Sequence, residues 1–153
     1  MSPESVIKLA AGSVSLNPSP IRPDWILEGS PLARHKVLSS SADGTASTLI
    51  WDCTAGRFNW FYDIDETVFV LEGGVVLRDV AGTARRLGAG DSVFFPAGAR
   101  AEWTVESYIR KIAFCRAPLP KPLVFAKRGM RFLKRMVSSR DGANAAPVMF
   151  QNN

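Results

Sequence analysis

Between Ser47 and Arg116 the chain alternates short runs rich in Val, Ile, Phe, Trp and Thr with glycine-centred breaks. The runs are STLIWDCT, FNWFYDI, TVFVLEG, GVVLRDV, ARRLGAG, DSVFFPAG, RAEWTVE and YIRKIAFCR, punctuated at Gly56, Gly73-Gly74, Gly82, Gly88, Gly90 and Gly98. β-Branched and aromatic side chains suit a pleated, half-buried surface, and regularly spaced turn residues predict consecutive strands. About eight strands without an intervening helical pattern predict an all-β sandwich or barrel over residues 41–117 rather than a βαβ fold.

The flanks read differently. Residues 1–40 carry Pro18, Pro20, Pro23 and Pro31 among Ser and Gly, which predicts an extended arm with turns. Within it Trp25, Ile26 and Leu27 would be wasted on a disordered segment, so the arm is expected to pack on the barrel. Residues 118–153 form a basic extension. Its APLPKPL opening cannot join a central strand, because proline removes ladder donors. In LVFAKRGMRFLKRMV the apolar residues Phe125, Phe132, Leu133 and Met136 recur at helical spacing, with cations between them. A short amphipathic helix is predicted there, weakened by Gly129 at about 1 kcal/mol relative to Ala. The final SSRDGANAAPVMFQNN reads as a turn followed by a tail.

Charge sharpens this division. From Met1 to Pro120 there are 12 cations and 13 anions, net −1, whereas Lys121 to Asn153 hold seven cations against Asp141 alone, net +6. A near-neutral body argues against a nucleic-acid groove, which needs a basic stripe on the folded surface. With 153 residues and an apolar fraction of 46%, one domain with a sizeable core is expected. Cys53 and Cys115 form no CxxC pair and are read as buried thiols. The opening MSPESVIKLAAGSV lacks the basic and apolar regions of a signal peptide, and no window is long and apolar enough for a membrane helix, so a cytoplasmic location is expected.

Two words in the strand region, ETVFVLEG and GDSVFFPAG, resemble the paired motifs of the cupin superfamily. Glu66, six residues and Gly73 match the end of the first motif; Gly90, five residues, Pro96, one residue and Gly98 match the start of the second. The stretches around Trp51-Asp52, Gly56 to Trp60, Asp65 to Thr67, Ala101 to Val105 and Arg110-Lys111 are similar to the ureidoglycine-aminohydrolase-like branch. The resemblance spans roughly Pro23 to Arg116 and implies a double-stranded β-helix, the cupin jelly-roll barrel, with an internal pocket and often dimerisation. In the metal-binding pattern of that family two His, a Glu and a third His converge on one divalent ion. Here Trp60 and Tyr62 stand at the first two His positions and Ala101 at the third, so only Glu66 remains. One carboxylate cannot supply the three or four ligands a retained metal requires, and no metal or other cofactor is expected.

The candidate ligand-binding residues are Arg57, Trp60, Tyr62, Glu66, Trp103 and Lys111. Trp60, Tyr62 and Trp103 fall at alternate strand positions and should face the interior together, either as an aromatic pocket or as plain core filling the space. Glu66 is a general base or hydrogen-bond acceptor in one reading and half of a buried ion pair with Lys111 in the other. Arg57 is a pocket-rim candidate. Asp63, Asp65, Arg85 and Arg86 are read as solvent-facing, and His35 as a surface or interface residue. Cys115 lacks a histidine base.

These residues predict a metal-free domain that binds a small polar or aromatic molecule and carries no reaction motif. The alternative is a metal-independent hydrolase, lyase or isomerase in which Glu66 is the base and Lys111 stabilises developing negative charge. A homodimer through arm or strand exchange is expected. For the basic helix, a solvated face packed across the barrel ranks first, contact with an acidic partner or anionic membrane second, and nucleic acid last.

Overall fold

The computed structural model describes residues 12–141, which divide into two compact units, one ending at Pro118 and the other beginning at Leu119. In the first unit eight strands run in the order β1 (Asn17–Pro18), β2 (Ile26–Glu28), β3 (Ala33–Ser40), β4 (Ala46–Phe61), β5 (Asp65–Asp79), β6 (Ala84–Gly88), β7 (Ser92–Phe95) and β8 (Arg100–Arg116), with a 3-10 turn over Pro23–Trp25. All pairings are antiparallel. The path across the sheet is β1-β3-β4-β8-β5-β6, with β2 added to β4 and β7 to β5. β8, central and 17 residues long, pairs along β4 on one side and β5 on the other.

The eight runs read from the sequence become five strands, because several glycine breaks are bulges inside long strands rather than turns between short ones. STLIWDCT and FNWFYDI join in β4 across a register shift between Thr54 and Gly56. A Cβ at Gly56 would sit 2.7 Å from the Pro31 ring, so glycine there admits the arm rather than turning the chain. TVFVLEG and GVVLRDV join in β5, where Gly73 takes φ +71° and presses its Cα against the Tyr108 carbonyl of β8. RAEWTVE and YIRKIAFCR likewise merge in β8. The remaining strands come from the stretch read as an arm, since β3 pairs along β4 from Ala33 to Ser40.

Alternation then sorts the side chains onto two faces. Trp51, Phe58, Val68, Val70, Phe95, Trp103, Ile109 and Ala113 form the buried core, and Trp25, Ile26 and Trp60 pack against it. Cys53 and Cys115 are buried free thiols. The opposite face carries a buried Asp52, which accepts from Arg34 and from the Tyr108 hydroxyl, beside a partly exposed group of Phe69, Phe94 and Phe114.

The second unit holds α1 (Lys121–Asp141). The helix begins two residues before and ends four beyond the Leu123–Val137 span that the apolar spacing marks, so Ser138 to Asp141, read as a turn, belong to it. The expected tail beyond Asp141 and the opening MSPESVIKLAA lie outside the described residues.

Candidate functional site

Glu66 is the second residue of β5, on its inward face, between Cys115 of β8 and Phe95 of β7. A carboxylate at such a place loses most of its hydration and needs a partner. Lys111, inward on β8, supplies it: its Nζ donates to Glu66 Oε1 at 2.6 Å, and both residues are buried. The ammonium also stands 5.1 Å from the ring centroids of both Trp51 and Trp103. The lysine is thus held by one anion and two aromatic faces, a desolvated cation–π arrangement.

Tyr62 follows β4 directly and is tied down by its backbone, whose N–H donates to Ala99 and whose carbonyl accepts from Gly98. Its ring stacks on Phe95 with centroids 4.1 Å apart and planes 7° from parallel. Trp103 Nε1 donates to Tyr62 Oη at 3.1 Å, which gives the buried indole N–H an acceptor. Burial pushes the Tyr62 phenol well above its ordinary range and the negative charge of Glu66 adds to the shift, against a smaller opposing effect of the Trp103 bond. The phenol therefore stays protonated at any physiological pH. Cys115 is also raised, first by burial and then by Glu66, with Lys111 acting the other way.

In front of this layer opens a cleft of about 600 Å³. Trp25, Trp60, Phe61, Leu49 and Ile64 supply apolar walls, Arg22 and Asp63 charged ones, and Tyr62, Glu66 and Cys115 its least exposed lining. Trp25 meets Trp60 edge to face at 5.4 Å and Phe61 at 5.2 Å, so the aromatic walls stand at angles to one another rather than collapsed in a stack.

The six sequence candidates separate accordingly. Trp60, Tyr62 and Glu66 line the cleft; Trp103 and Lys111 lie behind it and brace Tyr62 and Glu66. Arg57 is on the outward face of β4, paired with Glu28 at 3.2 Å and Glu102 at 3.5 Å, and does not line the cleft. Trp25, Phe61 and Trp51 are added by the structure. Trp25 was marked by its apolar size in a proline-rich arm, whereas Trp51 depends on its place in the cross-strand row Trp51, Lys111, Val70, which no single strand displays. Asp63 is exposed, and Arg85 and Arg86 pair at the surface with Asp79 and Glu106. Asp65 is half-buried and caps a turn by accepting from the Ala97 N–H, which together with Arg116 lowers its carboxyl below the usual range. His35 lies in the row beside Trp51, with a buried Nδ1 that has no partner.

A divalent metal does not fit these donors. Glu66 is committed to Lys111, Tyr62 Oη to Trp103, and the third His position holds the methyl of Ala101. Among the described residues no three His, Cys, Asp or Glu side chains gather where they could share an ion.

Residues 40–113 match the model of the EutQ-like cupin domain. Over that stretch the chain is a cupin-superfamily domain. Among solved cupin-like structures it is similar to a protein of the DUF861 family from Pseudomonas syringae pv. tomato, with 29% identity, 70% of this chain and 46% of that one covered, and a TM-score of 0.64. The cupin thus spans less than half the length of that relative. The EutQ protein of Clostridium difficile (17% identity, 72% and 86% covered, TM-score 0.58) shares the fold. So does the polyketide cyclase RemF of Streptomyces resistomycificus (17% identity, 76% and 82% covered, TM-score 0.56). No curated protein matches the sequence.

Proposed function

We propose that this cupin is a small-molecule-binding domain that needs no metal, its ligand seated among Trp25, Trp60, Tyr62 and Glu66. The observation that carries the reading is Glu66, a carboxylate held in place by Lys111 and reaching a cleft walled largely by aromatic and aliphatic side chains, with Arg22 and Asp63 as its other charged lining. Few convergent polar groups in an apolar concavity are what ligand sites share. The angled aromatic walls suit a planar molecule, and Glu66 offers it an acceptor. The double-stranded β-helix and the ureidoglycine-aminohydrolase-like branch are the finer forms of this reading, the first supported by the two motif words and the long antiparallel strands that carry them, the second by the sequence likeness around Trp51-Asp52, Gly56 to Trp60, Asp65 to Thr67, Ala101 to Val105 and Arg110-Lys111. Phe69, Phe94 and Phe114, exposed together on the outward face, support a homodimer.

Binding is preferred over base catalysis because Lys111 engages Glu66 from behind and does not itself line the cleft, and the cation that does, Arg22, is paired with Asp24, so an oxyanion forming on a ligand would meet no uncommitted positive charge among the described lining residues. A metabolite screen read by tryptophan fluorescence tests the proposal, with Glu66→Gln as control. Saturable quenching that the variant loses by tenfold or more is expected, without product. Turnover of a bound compound that Glu66→Gln abolishes would replace this reading with a metal-independent hydrolase, lyase or isomerase. Binding unaffected by the variant would remove Glu66 from the site.

A further inference from the structure

Several large apolar side chains of α1 are exposed. Phe125, Met130, Phe132 and Leu133 are each more than 60% exposed and Leu123 is 53% exposed. At about 100° per residue, Lys127, Arg128, Arg131 and Lys134 fall within one arc of roughly 120°, together with Val124 and, by sequence position, Arg135 and Ser138. Leu123, Phe125, Ala126, Met130, Phe132 and Leu133 occupy roughly the opposite half of the helix. No acidic residue occurs from Lys121 to Arg140.

We propose that α1 is a membrane-surface helix, which lays its apolar side into an anionic lipid leaflet while the cations meet the headgroups. A broad apolar face with Phe and Leu, a polar face of Lys and Arg, and low overall hydrophobicity are the properties that hold a helix in the interfacial plane. The helix lies on the bilayer rather than through it, for no helix among the described residues is long and apolar enough to cross. Long cationic stems at the edge of the apolar arc reach outward to phosphates as the rings sink. Charge and shape disfavour a second copy of this helix as the cover. A coiled-coil seam would use Leu123, Ala126, Met130 and Leu133, leaving Phe125 and Phe132 in water, and it would bring cations together with no carboxylate to separate them. An anionic leaflet satisfies both arcs at once, and each cation there is worth about a fivefold change in partition.

The test uses the full chain and sedimentation with vesicles of phosphatidylcholine alone or with one-quarter phosphatidylglycerol. Binding to the anionic vesicles at least tenfold tighter than to the neutral ones, weakened by salt, is expected. Arg128→Glu/Arg131→Glu should reduce it at least a hundredfold, and Phe125→Ser/Phe132→Ser at least tenfold even at low salt. All these side chains are exposed, so an unchanged thermal transition of the first unit shows that the fold is intact. Equal binding to both lipids, binding to neither, or binding indifferent to the Phe substitutions overturns the proposal. Absence of vesicle binding together with a solution mass that falls in the Phe variant would assign the face to a second copy. Binding to polyglutamate but not to vesicles would assign it to an acidic protein partner.

Discussion

Replacing Lys111 by Met removes the cation of a buried pair while nearly preserving its volume. The carboxylate of Glu66 then stays in the interior facing the aromatic layer. Losing one partner of such a pair costs about 3–5 kcal/mol. The ammonium's two tryptophan contacts, worth about 0.5–2 kcal/mol each, are lost as well, with sulfur–aromatic contacts of about 0.3–1.5 kcal/mol in exchange. The lower end is expected, since Glu66 borders the cleft and can recruit water there. At a urea m-value of about 1.5 kcal/mol/M, 3 kcal/mol moves the midpoint down by about 2 M. The double variant Lys111→Met/Glu66→Met removes both charges, and the cost should fall to within about 1–2 kcal/mol of the parent, because an apolar pair carries no desolvation penalty. The single variant Glu66→Met should cost less than Lys111→Met, since the stranded ammonium retains Trp51 and Trp103 whereas the stranded carboxylate retains no comparable partner. Urea unfolding of the four proteins closes a double-mutant cycle with an expected coupling of about 2 kcal/mol or more. A coupling under about 0.5 kcal/mol would show that the pair is solvated and that Glu66 is not a desolvated anion in need of Lys111.

Other consequences are open to direct measurement. Tyr62→Phe strands the Trp103 indole N–H without an acceptor and should destabilise the domain by about 1–3 kcal/mol in the same assay. Because the folded-state pKa of Tyr62 lies above its unfolded value, the folded protein keeps a proton that the unfolded chain loses above pH ~10. Stability should therefore be unaffected by this group below that pH and fall as pH rises beyond it, a loss that Tyr62→Phe removes. The Cys53 thiol is pushed up to about 12 by burial and by the charge of Asp52, so native protein at pH 8 should resist a disulfide reagent at both cysteines and react at both in denaturant. Gly73→Ala drives a Cβ into the Tyr108 carbonyl and should cost about 3 kcal/mol or more, while Gly82→Ala, also at positive φ but facing open space, should cost about 1–2 kcal/mol by thermal denaturation.

Strand content, the two motif words and the inward direction of Trp60, Tyr62 and Trp103 were legible because they depend on short-range alternation. The number of strands was not, for a glycine that turns a chain and a glycine that lets another segment approach look alike in one dimension. Gly56 and Gly73 are of the second kind, one beneath the Pro31 ring and the other against the backbone of β8. Register was equally hidden. That Lys111 stands between Trp51 and Val70 follows from the register of β8 against β4 and β5, strands distant from it in sequence, which only the assembled sheet fixes. The same limit separates Arg57 from the cleft. It neighbours the aromatic run in sequence, yet its parity on β4 turns it outward to Glu28 and Glu102.

The substitutions at the family's metal positions are mutually consistent when traced through the charge on Glu66. A carboxylate retained without its metal and imidazoles would be an uncompensated buried anion, which folding tolerates poorly. Lys111 supplies one positive charge, and Trp51 and Trp103 lend that ammonium the company that water or further anions would otherwise provide. Tyr62, where the metal-binding cupin pattern has an imidazole, accepts from Trp103 and so closes the layer without a nitrogen ligand. Trp60, at another such position, is half-buried at the cleft, where its ring is available to whatever enters. The interior is thus not uniform hydrocarbon, although it lacks the imidazoles of the metal-binding cupin pattern. It holds one ion pair, whose desolvation is offset by aromatic faces and whose carboxylate borders the accessible space. An apolar pair in place of both charges would cost little stability, so a charged Glu66 bordering the cleft fits the proposed ligand-binding role.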